Sequence, residues 1–254
     1  MMDKQLIRDQ FGANAAAYAT STVHAKGSSL ERLVTLARPQ PNWRVLEVAT
    51  GAGHTALAFA PHVAEVVATD ITPQMLRETA VLAQSRRIAN LKTEPADAEN
   101  LPFAAETFDL VTCRIAPHHF PDVPRFVAEA ARVLRPGGLL AVADNVVPAG
   151  EAGEYVNAFE KLRDPSHGRC LTITEWTKAY KTAGLTATHT ETLWKRMDFD
   201  PWARRLTDDE SLVEQVRAML LAASGEAKAF LQPENNGELT FRLQEGVFIG
   251  RKEG

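Results

Sequence analysis

The sequence predicts an α/β protein with a doubly wound parallel sheet, and three features carry that reading. Short apolar runs alternate with helical patterns between residues 43 and 145. The first run ends in a turn with two glycines, Gly51 and Gly53, that leads straight into a helix. Two alternating segments, Leu185 to Trp194 and Leu239 to Ile249, follow towards the C-terminus. Strands that read as continuous apolar runs are those covered by helices on both faces. Their crossovers are right-handed, and a ligand sits beyond the strand C-termini, near the reversal of strand order. No period of 20–50 residues repeats, which excludes a solenoid or propeller.

The elements follow in order. Ser28 to Ala37 reads as a helix. Trp43 to Ala49 is β-branched and apolar, a first strand. His54 to Ala60 is a helix stopped by Pro61. Glu65 to Ala68 is a second strand that ends at Asp70. Thr72 then suits an N-cap and Pro73 a first helical turn, so a helix spans Gln74 to Arg87. Leu91 to Glu94 is a weak third strand and Phe108 to Cys113 a strong fourth. Val123 to Leu134 is an amphipathic helix, ended by Arg135-Pro136-Gly137-Gly138, and Leu139 to Ala143 is the fifth strand. Thr174 to Ala183 is a helix closed by Gly184. The two alternating segments are expected to pair antiparallel at one edge of the sheet.

No Gly/Ser-rich linker divides the chain, so residues 1–254 are expected to form a single domain. Within it, 1–40 would be N-terminal lid helices and 41–145 the ligand-binding core. Residues 146–195 would continue the core, 196–237 would be an inserted helical cap, and 238–254 a final edge strand. Of the 254 residues 45% are hydrophobic and 24% charged, ordinary for a globular chain. Twenty-eight Lys and Arg against 32 Asp and Glu give a net charge of −4, which disfavours a nucleic-acid partner. Cys113 and Cys170 form neither a disulfide framework nor a CxxC metal pattern, so no metal is expected. The charged N-terminus lacks a secretory apolar core, and no run reaches the ~18 apolar residues of a membrane span. A cytoplasmic protein is expected, as a monomer or homodimer.

The chemistry concentrates at the strand ends. Glu47-Val48-Ala49-Thr50-Gly51-Ala52-Gly53-His54 places an acid at the end of a strand and glycines before a helix N-terminus. Glycine lets a backbone approach a ligand closely, and the helix start offers unpaired N–H groups. Gly51, Gly53 and Ala56 also satisfy a dinucleotide pattern, so an NAD(P)-dependent oxidoreductase competes. Against it, Glu47 would face a pyrophosphate unfavourably. Asp70 ends the second strand, where a carboxylate suits two hydrogen bonds from a ribose diol. Asp97 and Ala98, in the acidic loop after the third strand, could read an adenine edge through a carboxylate and a backbone N–H.

These three signals, in this order, resemble the class I S-adenosylmethionine-dependent methyltransferases. The similarity is to the small-molecule subgroup of the ubiquinone/menaquinone-biosynthesis enzymes. It is reinforced by Leu101-Pro102-Phe103 ahead of Phe108-Asp109, and by Arg132-Val133-Leu134-Arg135-Pro136-Gly137-Gly138. The segment Leu162 to Arg169 (LRDPSHGR), followed by Glu175-Trp176, resembles a branch of small-molecule methyltransferases. The resemblance implies a seven-stranded Rossmann-like sheet, parallel with one antiparallel edge strand, and a helical cap. It also implies S-adenosylmethionine as cofactor, S-adenosylhomocysteine as product and a small organic acceptor methylated at O, C or N. Carried over by motif, Glu47 would lie near the methionine amino group, and Ala49, Gly51 and Gly53 against the methionyl portion. Asp70 would hold the ribose, Ile71 and Met75 the adenine, and Asp97 and Ala98 its edge. Arg114 would border the methionyl end. Ala49 departs from the family, whose first loop residue here is glycine. A non-catalytic S-adenosylmethionine-binding module is the other alternative.

Methyl transfer needs proximity and orientation above all, and a general base adds to it when the acceptor is a phenol, alcohol or acidic carbon. His118 and His119, after the fourth strand, are the candidate bases. Asp144 and Asn145, after the fifth, and Asp164 and His167, near the lid, are candidate substrate contacts. Tyr18 or Phe11 could place an aromatic face near the sulfonium. Trp176, Trp194 and Trp202 are read as apolar packing of the cap.

Overall fold

The structure is a computed structural model and describes residues 4–19 and 27–254. β1 (Arg44–Val48) lies at the centre of the sheet. β2 (Glu65–Asp70) and β3 (Leu91–Pro95) extend it on one side, β4 (Phe108–Arg114) and β5 (Leu134–Val146) on the other, all parallel. β8 (Leu239–Lys252) runs antiparallel to β5, and β6 (Leu185–Asp198) runs antiparallel to β8. The order is β3-β2-β1-β4-β5-β8-β6, with the two-residue β7 (Glu234–Asn235) pairing with β8 off this path. Strand order reverses between β1 and β4, so the crevice for a ligand opens beyond their C-terminal ends.

The two alternating segments pair antiparallel at one edge of the sheet, as expected, but the last of them is the inner strand of the pair. β8 lies one place in, with β6 outside it. The physical reason is legible in burial. β8 is buried at nearly every position, as a strand covered on both faces must be, whereas β6 alternates between partly buried and exposed residues.

Successive residues of the central strands point to opposite faces. Leu46, Val67 and Val111 join one apolar cluster, with α5 (Val123–Val133) and α7 (Ile173–Thr182) packed over it. Val45, Val66 and Leu110 join the other, under α2 (Ser28–Ala37) and α3 (His54–Phe59). α5 is capped by the Asp122 carboxylate, which accepts the Arg125 N–H at 2.9 Å. α7 starts with a full capping box between Thr172 and Glu175. α4 (Pro73–Ser85) follows β2 and packs on β2, β3 and α1 (Lys4–Ala19). Thr72 is the N-cap of α4 but makes no side-chain cap, because its hydroxyl serves Asp70 instead.

Residues 196–237 begin with the end of β6, hold α8 (Phe199–Ala203), α9 (Glu210–Ala222) and α10 (Gly225–Leu231), and include β7. This segment packs with α6 (Glu151–Arg163), a helix the sequence pattern did not single out. Together they build a third apolar cluster around Phe159, Trp202 and Phe241. Trp202 stacks on Phe159 at 5.1 Å and meets Phe241 edge-on at 4.9 Å. Trp176 packs in the main core beside Phe248, while Trp194 is half exposed against Phe230.

Candidate functional site

β1 ends in Glu47 and Val48, and the chain then turns back on itself before α3. Ala49 takes φ 54° and Gly51 φ 54°, both in the left-handed region. Glycine reaches that region freely, while alanine is strained by about 1–2 kcal/mol. The turn is tied down from three directions. The Thr50 N–H donates to the Thr69 carbonyl at 2.7 Å, the Gly51 N–H to Asp70 Oδ2 at 2.9 Å, and the Thr79 hydroxyl to the Gly51 carbonyl at 2.8 Å. Gly53, at φ 87°, lets α4 press against the loop, since a Cβ there would stand 2.7 Å from Thr79 Cγ2.

Glu47 is buried and turned inward, where its carboxylate accepts the Thr50 hydroxyl and the Ala56 N–H, the latter at 2.8 Å. Burial pushes its carboxyl up to about 7, against the pull of Thr50, Thr55, Ala56 and the Arg114 charge. Asp70 accepts the Gly51 N–H on one oxygen and the Thr72 N–H on the other, at 2.9 and 2.8 Å. Burial raises its carboxyl as well, and those hydrogen bonds oppose the rise. Arg114, at the end of β4, donates to Thr55 Oγ1 at 3.2 Å and to Ser29 Oγ at 3.4 Å.

These groups meet around a cleft of about 1000 Å³, part of it open to solvent. Glu47, Ala49, Gly51, Asp70, Ile71, Met75, Asp97, Ala98, Arg114 and His119 all line it. Gly53 stands behind the loop, outside the lining. Lys4, Ile7 and Phe11 of α1 form the facing wall. Lys4 Nζ bridges Asp97 and Glu99, each at 2.6 Å, which clamps α1 onto the acidic loop. Tyr18 belongs to α1, but its side chain lies outside the described residues. No residue of the 196–237 insert is among the lining residues.

His118 and His119 sit on one short 3-10 turn after β4 and face different ways. His118 Nδ1 is 2.6 Å from Asp144 Oδ1 at the end of β5. Burial alone would lower its pKa, but the Asp144 carboxylate outweighs burial and raises it. His119 lines the cleft, with the Phe11 ring edge-on at 4.9 Å. Its Nδ1 meets the Ser166 carbonyl at 2.9 Å. Burial and the neighbouring His118 push it down to about 3, so its imidazole is neutral at ordinary pH.

Asp144, Asn145, Asp164 and His167 are not among the cleft-lining residues. They form a buried polar layer behind it. Asp164 Oδ1 accepts Ser166 Oγ at 2.6 Å, the Ser166 N–H at 2.9 Å and Gln10 Nε2 at 2.9 Å. Asn145 links to Lys195 at 3.1 Å, and Lys195 pairs with the buried Glu245 at 2.6 Å. His167 Nε2 meets Asn157 Oδ1 at 3.0 Å, and burial lowers its pKa to about 3. Donor atoms of Glu160, His167 and Cys170 lie within 4.8 Å of one another, but the Cys170 thiol already donates to Glu160 at 3.4 Å. Burial pushes that thiol well up, which favours the protonated form.

Sequence reasoning missed Lys4, Ile7, Thr50, His54, Thr55, Glu99 and Phe120 in the lining, and Ser166 and Asn157 behind it. Ser166 had a signal, its place in Asp164-Pro165-Ser166-His167. The α1 residues had none, because a helix far off in sequence reaches the cleft only through folding.

Three comparisons bear on this geometry. Residues 46–142, the span from β1 to β5, match a methyltransferase domain family. The chain is 35% identical over 246 residues to the Bacillus subtilis protein YcgJ, named an uncharacterized methyltransferase, covering 95% of this chain and 97% of that one. It is 39% identical over 109 residues to the demethylmenaquinone methyltransferase of Deinococcus radiodurans, covering 42% and 44% of the two chains. A crystal structure from Bacillus halodurans, described as a candidate methyltransferase, superposes with a TM-score of 0.86 at 34% identity, over 90% of this chain and all of that one. Sheet order, glycine turn, strand-end acids and near full-length similarity agree, and the chain belongs to the class I S-adenosylmethionine-dependent methyltransferases.

Proposed function

We propose that this protein transfers the methyl group of S-adenosylmethionine to a small organic acceptor bound at the His119 end of the cleft, releasing S-adenosylhomocysteine. One observation carries the reading beyond the family. Glu47, Asp70, Asp97 and Glu99 line the cleft, while its two basic residues are matched, Lys4 by Asp97 and Glu99, and Arg114 by the charges of Glu245 and Glu47. An acidic cleft suits a cationic sulfonium and an ammonium group, and repels the pyrophosphate of a nicotinamide dinucleotide.

The residues present fit the cofactor. The Asp70 carboxylate is held rigid by two backbone N–H groups and keeps lone pairs for a ribose diol. Ile71 and Met75 offer an apolar face for adenine, and the Ala98 backbone and Asp97 its edge. Ala49 and Gly51 leave backbone open to the methionyl part. Glu47 faces its ammonium and Arg114 its carboxylate end. When bound, the cofactor supplies an electrophilic methyl group on a positive sulfonium. The chain supplies alignment, worth ~7–11 kcal/mol in well-oriented systems. α1 acts as the lid that excludes water, with Phe11 over the acceptor end. The helical insert stabilises the fold and stands apart from the chemistry.

The test is a thermal-shift titration against S-adenosylmethionine, S-adenosylhomocysteine and NAD. A ligand at 100 times its Kd stabilises by ~2.7 kcal/mol, roughly 5–11 °C for a chain of this size. The two sulfur nucleosides are expected to shift the transition and NAD is not. Asp70→Ala removes charge-assisted hydrogen bonds of ~1.5–3 kcal/mol each, so cofactor affinity falls at least roughly 10- to 150-fold. A shift with NAD alone would overturn the proposal.

A further inference from the structure

We infer that the acceptor is an uncharged molecule that presents a hydroxyl group to His119 Nε2, and that His119 takes the proton as the methyl arrives. The inference rests on the methyl-transfer reading above and assigns its acceptor class and its base.

The two adjacent histidines are distinguished by their partners. His118 is not among the lining residues, and its Nδ1 is occupied by Asp144 at 2.6 Å. His119 does line the cleft. Its Nδ1 faces the Ser166 carbonyl at 2.9 Å, and a carbonyl can only accept. Nδ1 therefore carries the hydrogen, and in the neutral ring Nε2 carries the lone pair. Ser166 cannot drift, because both its N–H and its hydroxyl are held by Asp164 Oδ1. Asp164 is itself held by Gln10 of α1 at 2.9 Å. The loop is further pinned by the His118 carbonyl, which accepts the N–H groups of Gly168 and Arg169 at 2.8 and 3.0 Å. An acceptor atom fixed in this way asks for a donor on the ligand.

The surroundings set the charge of that ligand. Phe11, Ile115, Ala116, Phe120 and Pro121 make the wall next to His119 apolar. Arg114 is balanced by Glu245 and Glu47, Lys4 by Asp97 and Glu99, and His118 by Asp144. A carboxylate or phosphate on the acceptor would have to compete with the cofactor's carboxylate for Arg114, or break the bridge from Lys4 to Asp97 and Glu99. An ammonium would stand beside the cofactor's sulfonium, at the cost of like charges in a closed site. A phenol or alcohol meets neither cost.

The step balances as follows. The hydroxyl oxygen forms the bond to the methyl carbon while the carbon–sulfur bond breaks with its electron pair left on sulfur. The hydroxyl proton passes to His119 Nε2, which becomes an imidazolium with its Nδ1–H still on Ser166. The oxygen turns strongly acidic as the methyl arrives, so a weak base suffices provided it is unprotonated. The surroundings of His119 secure that state: burial, His118 and His167 oppose its protonation and outweigh Asp164 and the hydrogen bond to the Ser166 backbone, which favour it. Asp144, Asp164 and Ser166 act as positioning residues.

The experiment has two arms. In the first, protein labelled with 15N-histidine is titrated from pH 5 to 8, with His119 assigned by His119→Gln. The expected signal is a neutral Nδ1–H tautomer throughout. Titration near 6.5, or an Nε2–H tautomer, overturns the assignment. Asp164→Ala is expected to mix the two tautomers, which a merely structural residue would not do. In the second arm, turnover with saturating S-adenosylmethionine is read as S-adenosylhomocysteine across matched 4-alkylphenols, 4-alkylbenzyl alcohols, 4-alkylbenzoates and 4-alkylbenzylamines. Conversion of phenols or alcohols is expected, with a fall of about 10²–10⁴-fold in His119→Gln and cofactor Kd within threefold. Conversion confined to the charged members, or none among phenols and alcohols, overturns the acceptor class. Failure of the methyl-transfer reading itself would show separately, as loss of cofactor binding in the unaltered protein.

Discussion

Replacing Glu47 by Gln tests the electrostatics at the heart of the cleft. Glu47 is buried, and burial lifts its carboxyl from 4.5 to about 7 despite its hydrogen bonds. Between these two values the folded protein holds a proton that the unfolded chain releases. Stability therefore falls as pH rises from 4.5 towards 7 and levels off above it. That interval corresponds to about 3 kcal/mol at most. Glutamine fills the same space without titrating. Urea unfolding of the unaltered protein and Glu47→Gln at pH 5 and pH 8 is the assay. The variant is expected to gain about 2–3 kcal/mol on the unaltered protein between pH 5 and pH 8. The same group governs cofactor affinity with the opposite sign, because a cationic ligand favours the ionised form. Calorimetric affinity for S-adenosylmethionine should rise roughly tenfold from pH 6 to pH 8, beyond any change shared by Glu47→Gln, where the cofactor's own ionisation remains. A stability difference constant to within about 0.5 kcal/mol across pH, with parallel affinity curves, would refute the reasoning.

Three further outcomes are expected. Gly53→Ala places a methyl 2.7 Å from Thr79 Cγ2 at φ 87°, so it should cost about 2–4 kcal/mol in denaturant unfolding and weaken cofactor binding by moving the loop. Ala49→Gly relieves a left-handed alanine at φ 54°, and this offsets the added backbone freedom, so stability should change by about 0–1 kcal/mol in the favourable direction. Trp202→Ala empties the centre of the third cluster, where the ring touches Phe159, Phe241 and the Arg163 guanidinium, and should cost about 3–5 kcal/mol. Its cofactor Kd, measured below the lowered Tm, should stay within threefold, since the insert is not part of the cleft wall.

No helix among the described residues is long and apolar enough to cross a membrane. The insert was expected to cap the ligand, yet its apolar face turns to α6 and its own core instead. α1, by contrast, does line the cleft, through Lys4, Ile7 and Phe11. Helical propensity announces that a helix forms, but not which surface it covers.

The sequence by itself determined the parallel core and the crevice. Those depend on local features: apolar runs of strand length, a glycine turn after Glu47, and Asp70 at the end of the next strand. Such signals act within a few residues and survive in one dimension. Tertiary structure alone decided the rest. α6 escaped the pattern because Asn157 and Glu160 are buried on its inner face, held by Cys170, His167 and Asn145, and so interrupt its apolar stripe. β8 and β6 alternate alike in sequence, and only sheet order shows which is covered on both sides. His118 and His119 are neighbours of the same type in the chain. Asp144 from β5 and Ser166 from a distant loop make one a buried, carboxylate-paired histidine and hold the other in the cleft wall with its Nδ1 on a carbonyl, because hydrogen-bond partners and burial are set by what folding brings within 3 Å.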